Sequence, residues 1–161
     1  MPSAFSHLDS SGNAAMVNVG SKPSTERVAK AEAVVDLSSA TMELLRRAAL
    51  PKGDVLTCAK LAGIMAAKRV GELIPLCHPL NLTFVDLSFV IKGDSIYITS
   101  ETRTVGPTGV EMEAIVAAQM AATTIYDMCK AVQRDIVIRR VRLLHKRGGK
   151  SGEFNAQPLP E

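Results

Sequence analysis

Tryptophan is absent from this chain and aromatic residues make up only 4% of it, so any core must rest on Val, Ile, Leu, Met and Ala. The same scarcity argues against a platform for single-stranded nucleic acid, where bases need rings to stack on. Cysteine is sparse too. Cys58, Cys77 and Cys129 are odd in number, far apart and without a CxxC pair, which argues against a disulfide framework and leaves reduced thiols as the default. No apolar run approaches the ~20 residues of a membrane-spanning helix. The start, MPSAFSHLDSSGNAA, has neither the basic nor the apolar segment of a secretory leader. A charge of +3, from 19 Lys plus Arg against 16 Asp plus Glu, is too mild for long-range attraction to DNA, although it leaves room for a local cationic pocket. The expectation is a cytoplasmic protein with no nucleic-acid partner and no membrane partner.

What is present is enough for one ordinary domain. The chain has 161 residues and is 47% hydrophobic, without repeats or an internal linker. A single domain over 1–161 is expected, with about 1–20 and 152–161 partly mobile. From Thr25 to Leu37, Ala29, Ala31, Ala33, Val35 and Leu37 alternate with Lys30, Glu32 and Asp36, the pattern of a half-buried strand. Ser38 and Ser39 are N-cap candidates for a short helix, ATMELLRRAA, ending at Pro51. KGDVLTCAKLAGIMAAKRVGELI reads as one long buried helix, capped by Asp54 and stopped by Pro75. LTFVDLSFVI and SIYITSETRTV, separated by KGDS, read as a hairpin. VEMEAIVAAQMAATTIYDMCKAV is the strongest helix pattern, DIVIRRVRLLHK a final strand, and RGGKSGEFNAQPLPE a glycine-rich tail. The sum is an α+β domain, an antiparallel sheet with helices packed on one face.

Four constellations carry candidate chemistry. In ELIPLCHPLNL, Cys77 adjoins His78 between two prolines. A zinc site needs three or four ligands at workable spacing, and only His7 and His145 remain as further histidines, so a metal is not expected. Adjacent side chains in an extended loop diverge, which also disfavours a Cys–His nucleophile pair; Cys77 packing inward while His78 faces a cleft is the expectation. RGGKSGEF fails as a P-loop, because Leu144 stands where glycine is needed and no helix follows. It remains a loop whose Lys146, Arg147 and Lys150 either meet phosphate or form a solvated tail.

On the long helix, Glu113, Met120 and Asp127 share one stripe and Lys130 lies a turn beyond Asp127, either as the solvated face or as a pocket wall. Glu113 and Asp127 are 14 residues apart, about 21 Å along an unbroken helix. Either they grip opposite ends of a nucleotide-sized ligand or each belongs to a site completed by a second subunit. Lys52, before a helix start in PKGDV, should have its pKa lowered by the positive helix end and suits either acid–base work or a phosphate contact.

Taken together, KGDVLTCAKLAG, AAKRVGELIPLCHPL, TGVEMEA, TIYDMCKAV and LLHKRGGKSG closely resemble the MoaC family of molybdenum-cofactor biosynthesis, over nearly the whole chain. The resemblance implies a ferredoxin-like α+β fold assembled as a homohexamer, a trimer of dimers with active sites between subunits. It implies lyase activity as a cyclic pyranopterin monophosphate synthase. The small-molecule substrate would be a cyclised dihydro-GTP supplied by a radical SAM enzyme, rearranged to a pyranopterin with release of pyrophosphate and without metal or organic cofactor. By motif it assigns Leu76, Cys77, His78, Glu111, Met112 and Glu113 to substrate binding and Lys146 to the triphosphate. Asp127, Lys130 and Lys52 become the catalytic residues. Two positions depart from the family pattern: Pro107, where Lys is common, and Arg139-Arg140, where Gly-Pro is common.

Overall fold

In the computed structural model, which describes residues 7–159, the small side chains of β1 (Thr25–Asp36) set the architecture. Ala29, Ala31, Ala33 and Val35 are fully buried on one face, and because they are short they let a helix lie close against the sheet. That helix is α4 (Glu111–Cys129), which brings Ala114, Ala117, Ala118, Ala121, Ala122 and Ile125 to the same core. Buried hydroxyls from β3 (Ser95–Gly106) tie it down: Ser100 Oγ donates to the Ala114 carbonyl at 2.6 Å and Thr102 Oγ1 to the Val110 carbonyl at 3.0 Å. Each adds a donor to a carbonyl at the N-cap or in the first turn of the helix, so the start of α4 is held to the sheet as well as packed on it.

Before β2 (Leu82–Lys92) come α1 (Ser39–Arg46), α2 (Val55–Ala67) and α3 (Val70–Leu73), and after α4 come β4 (Val137–Arg147) and β5 (Phe154–Asn155). The sheet is antiparallel throughout, in the order β2-β3-β1-β4-β5. β1 connects through α1–α3 to β2, skipping over β3, and β3 connects through α4 to β4, skipping over β1. These two interlocked β-α-β units are the ferredoxin-like topology, and α2 and α4 pack together on one face. Their crossing is tight at Gly63, where a Cβ would stand 2.8 Å from the Ala117 carbonyl oxygen and 2.7 Å from Leu87 Cδ2. The opposite face is polar, with pairs such as Lys30–Glu101 and Arg139–Asp36.

Ser38 caps α1 through the Thr41 N–H and Asp54 caps α2 through the Thr57 N–H, as the sequence pattern predicts. The expected single helix from Asp54 to Pro75 is instead two, broken at Lys68–Arg69. The break turns the chain so that Gly71 meets Pro79, whose Cα would lie 2.9 Å from any added Cβ, and this contact lays the LCHP loop against the fold. Of the ends expected to be partly mobile, residues 1–6 and 160–161 lie outside the described residues. Within them, Leu8 bridges Ala14, and Phe154–Asn155 extends the sheet as β5, which the sequence pattern did not suggest.

Candidate active site at the ends of α4

The N-terminal end of α4 opens into a cavity of about 350 Å³. Leu76, Cys77 and His78 form one wall, Glu111, Met112 and Glu113 the floor, and Val17 and Val19 of the N-terminal segment the roof. Cys77 and His78 both line it, against the expectation that Cys77 turns inward. The reason is a turn, closed by the Cys77 N–H donating to the Ile74 carbonyl at 3.0 Å, where an extended loop was assumed. His78 Nε2 lies 2.8 Å from the Val17 carbonyl, a contact that requires the proton on Nε2 and fastens the roof to the wall.

Charge in this cavity is arranged unevenly. Glu113 is 4% exposed, and burial, reinforced by the negative Glu111, pushes its pKa up to about 7. Glu111 is instead paired: Lys146, from the end of β4, donates to its Oε1 at 2.6 Å. One carboxyl is thus poised to hold a proton at neutral pH while its neighbour two residues away is held by an ammonium. Burial, together with Glu113 and Glu111, also raises the Cys77 pKa, which favours the neutral thiol over the nucleophilic thiolate.

A second lobe, about 580 Å³, adjoins the first and shares Lys22, Thr108, Gly109 and Glu111 with it. Arg27 and Lys150 supply further positive charge there, with Pro107 an uncharged part of the lining. Arg27 is held at its place by Nε donating to the Gly106 carbonyl and Nη2 to the Pro107 carbonyl, both at 3.3 Å. Its guanidinium occupies the space a side chain on Gly149 would need. Gly148 and Gly149 have φ of +107° and +73°, a backbone path that only glycine follows without strain. A lobe lined by carboxyls beside a lobe lined by further cations suits a heterocycle carrying phosphate groups.

The remaining candidates stand at the other end of the same helix. Asp127 Oδ2 accepts from Lys52 at 2.7 Å and its Oδ1 pairs with Lys130 at 2.8 Å, while Lys52 also donates to the Asp127 carbonyl at 3.0 Å. The hydrogen bonds from Lys130 and Lys52 hold the Asp127 pKa down to about 2, and Asp127 in turn raises that of Lys130. Lys52 does not face the positive start of α2, as its place in the sequence suggested; it points at the C-terminal end of α4, where carbonyls and a carboxylate collect. Glu113 and Asp127 sit on one unbroken helix and are therefore about 21 Å apart.

One chain thus brings Leu76, Cys77, His78, Glu111, Met112, Glu113 and Lys146 together, and separately joins Lys52, Asp127 and Lys130. Sequence reasoning missed Lys22 and Arg27, which both line the second lobe; Arg27 is carried there by its pairing across the sheet with Thr104, far away in the chain. The signal available was weak: one cation just before the first strand and one near its start.

A family model described as the MoaC family matches residues 16–149. A protein of Desulfovibrio desulfuricans named cyclic pyranopterin monophosphate synthase is 71% identical over 163 aligned residues, covering all of both chains. Proteins of the same name from Nitratidesulfovibrio vulgaris and Oleidesulfovibrio alaskensis are 60% and 58% identical, over 96% and 97% of this chain and 97% and 99% of their own. With a family model across most of its length and relatives this similar from end to end, the chain belongs to the MoaC family.

Proposed function

We propose that this chain acts as a cyclic pyranopterin monophosphate synthase in molybdenum-cofactor biosynthesis. It converts (8S)-3',8-cyclo-7,8-dihydroguanosine 5'-triphosphate to cyclic pyranopterin monophosphate and releases pyrophosphate, as a cyclising lyase. End-to-end similarity to relatives of that name carries the reading, and a cavity with carboxyls in one lobe and further cations in the next supports it.

In this reading the heterocycle lies in the first lobe against Leu76, Cys77, His78, Met112, Glu111 and Glu113. The triphosphate extends over Lys146 toward Lys22, Arg27 and Lys150. Ring opening and closure need a group that holds a proton and gives it up near neutral pH, which the elevated Glu113 supplies. Closing the cyclic phosphate deprotonates the attacking hydroxyl and expels pyrophosphate, so cations are needed against the leaving group.

Asp127, Lys52 and Lys130 are the catalytic residues, and the 21 Å span along α4 is too long for one substrate. The reading therefore includes a homohexamer, a trimer of dimers, in which the C-terminal end of one α4 completes the cavity at the N-terminal end of another. The substrate comes from a radical SAM enzyme, the setting is cytoplasmic, and no metal or organic cofactor takes part. Incubating the protein with the cyclised dihydro-GTP tests the proposal. Stoichiometric pyrophosphate and pterin product are expected; binding without turnover would overturn it in favour of a nucleotide-binding module.

A further inference from the structure

The sheet face turned away from the helices carries its own cleft, of about 260 Å³, between the strands and residues 158–159 of the C-terminal segment. Its floor is a row across three strands: Tyr97 on β3, Val34 on β1 and Arg140 on β4 are register neighbours, and Val34 is fully buried beneath the other two. Glu32 and Arg142 form the next row, Lys92 of β2 comes from the far side, and Pro158 and Leu159 close the top.

Three cations therefore meet one carboxylate, and that carboxylate is already committed. Glu32 Oε1 accepts from Arg142 Nε at 2.7 Å. Arg140 Nε lies 2.9 Å from the same oxygen, yet among the described residues it is buried without a hydrogen bond. Arg142 also donates through Nη1 to the Gln157 carbonyl at 2.8 Å, which fixes the guanidinium and the segment together. The Lys92 ammonium stands 5.2 Å above the centre of the Tyr97 ring, a weak partner that leaves its N–H donors uncommitted among the described residues. Arg139, next to Arg140 in the chain, is neutralised by Asp36 at 3.0 Å.

A half-enclosed cleft with converging, incompletely satisfied guanidinium and ammonium donors is the arrangement that recognises oxyanions. We propose that this cleft binds a compact, multiply charged phosphate-bearing anion, at a place separate from both ends of α4. The anion satisfies the Arg140 and Lys92 donors that Glu32 leaves over, and Tyr97 forms its apolar side.

The probe is inorganic pyrophosphate, read by fluorine-19 NMR on protein carrying fluorotyrosine, with Tyr97 assigned through Tyr126→Phe. A saturable shift of the Tyr97 resonance is expected. Lys92→Gln and Arg140→Gln should each weaken it about tenfold, the scale of one lost charge-assisted hydrogen bond, with turnover of the cyclised dihydro-GTP unchanged. Arg140→Gln leaves Glu32 its Arg142 partner, so the fold is preserved, and among the described residues Lys92 has no carboxylate to orphan. An absent shift, a shift reproduced by sodium chloride at equal ionic strength, or an affinity in either variant equal to the parent's would overturn the proposal.

Discussion

The two ends of α4 hold carboxylates in opposite states. At the start, Glu113 is buried and its pKa is raised to about 7. At the end, Asp127 is half exposed, flanked by two lysines and held at about 2. Residue type does not decide the role; surroundings do. Burial beside another carboxylate makes a group that exchanges a proton at neutral pH, whereas two ammonium partners make a permanent anion that positions them. A reaction that both rearranges a heterocycle and expels a polyanion has use for each kind, and within one chain the helix holds them about 21 Å apart, so each is set by its own neighbours.

The sharpest way to break the contrast is at the charged end. Asp127→Asn keeps size and removes the anion that holds Lys52 and Lys130 in place. Turnover should fall by about 10²–10⁴-fold, with the far-UV spectrum and melting temperature unchanged because the side chain is half exposed. Near-normal product formation would remove Asp127 from the mechanism. The same variant tests whether the two ends cooperate across chains. Lys52 and Asp127 already touch within one chain, so complementation should come from mixing Asp127→Asn subunits with Glu111→Ala subunits. Activity should reappear in mixed oligomers, and its absence in demonstrably mixed ones would point to a site within one chain.

At the buried end the effect is on pH dependence. A carboxyl whose folded pKa is raised contributes stability fully present below its unfolded value of about 4.5 and lost as pH rises through the folded value of about 7. Between those limits the loss is at most about 3 kcal/mol, at about 1.4 kcal/mol per pKa unit. Glu113→Gln carries no charge to bury. It should therefore be more stable than the parent at pH 8, by up to about that amount, and nearly equal to it at pH 4. Denaturant titrations at the two pH values measure this directly. A difference independent of pH would show that Glu113 ionises as an ordinary glutamate.

This contrast explains which parts of the molecule were legible in the sequence. The alternation in β1, the hairpin of β2 and β3 and the length of α4 are local patterns, and they formed where the pattern predicts. The break at Lys68–Arg69 is not local: it exists because Gly71 must meet Pro79. β5 is two residues long and pairs only through His145 and Lys146. In the site, the motif residues could be named because they fall in short runs, but their electrostatic states could not. Nothing near Glu113 in sequence announces its burial, and Lys52 seemed destined for the start of α2 until the fold brought Asp127 to it. Arg27 became visible only when β1 and β3 were in register.

The smallest expected effect separates presence in the site from participation. Cys77 lines the cavity beside His78 and within the field of Glu113 and Glu111, a position that invites a nucleophilic role. The same neighbours argue against it. Burial and two carboxylates favour the neutral thiol, and a thiol that keeps its proton is a poor nucleophile. Cys77→Ser replaces sulfur with oxygen at similar size, so it should change kcat by no more than about twofold while leaving the turn at Ile74 intact. Steady-state kinetics on the cyclised dihydro-GTP, with a melting curve to establish folding, measures it. A hundredfold loss of kcat in a folded variant would make Cys77 a participant and would require that the substrate itself lower the thiol's pKa on binding.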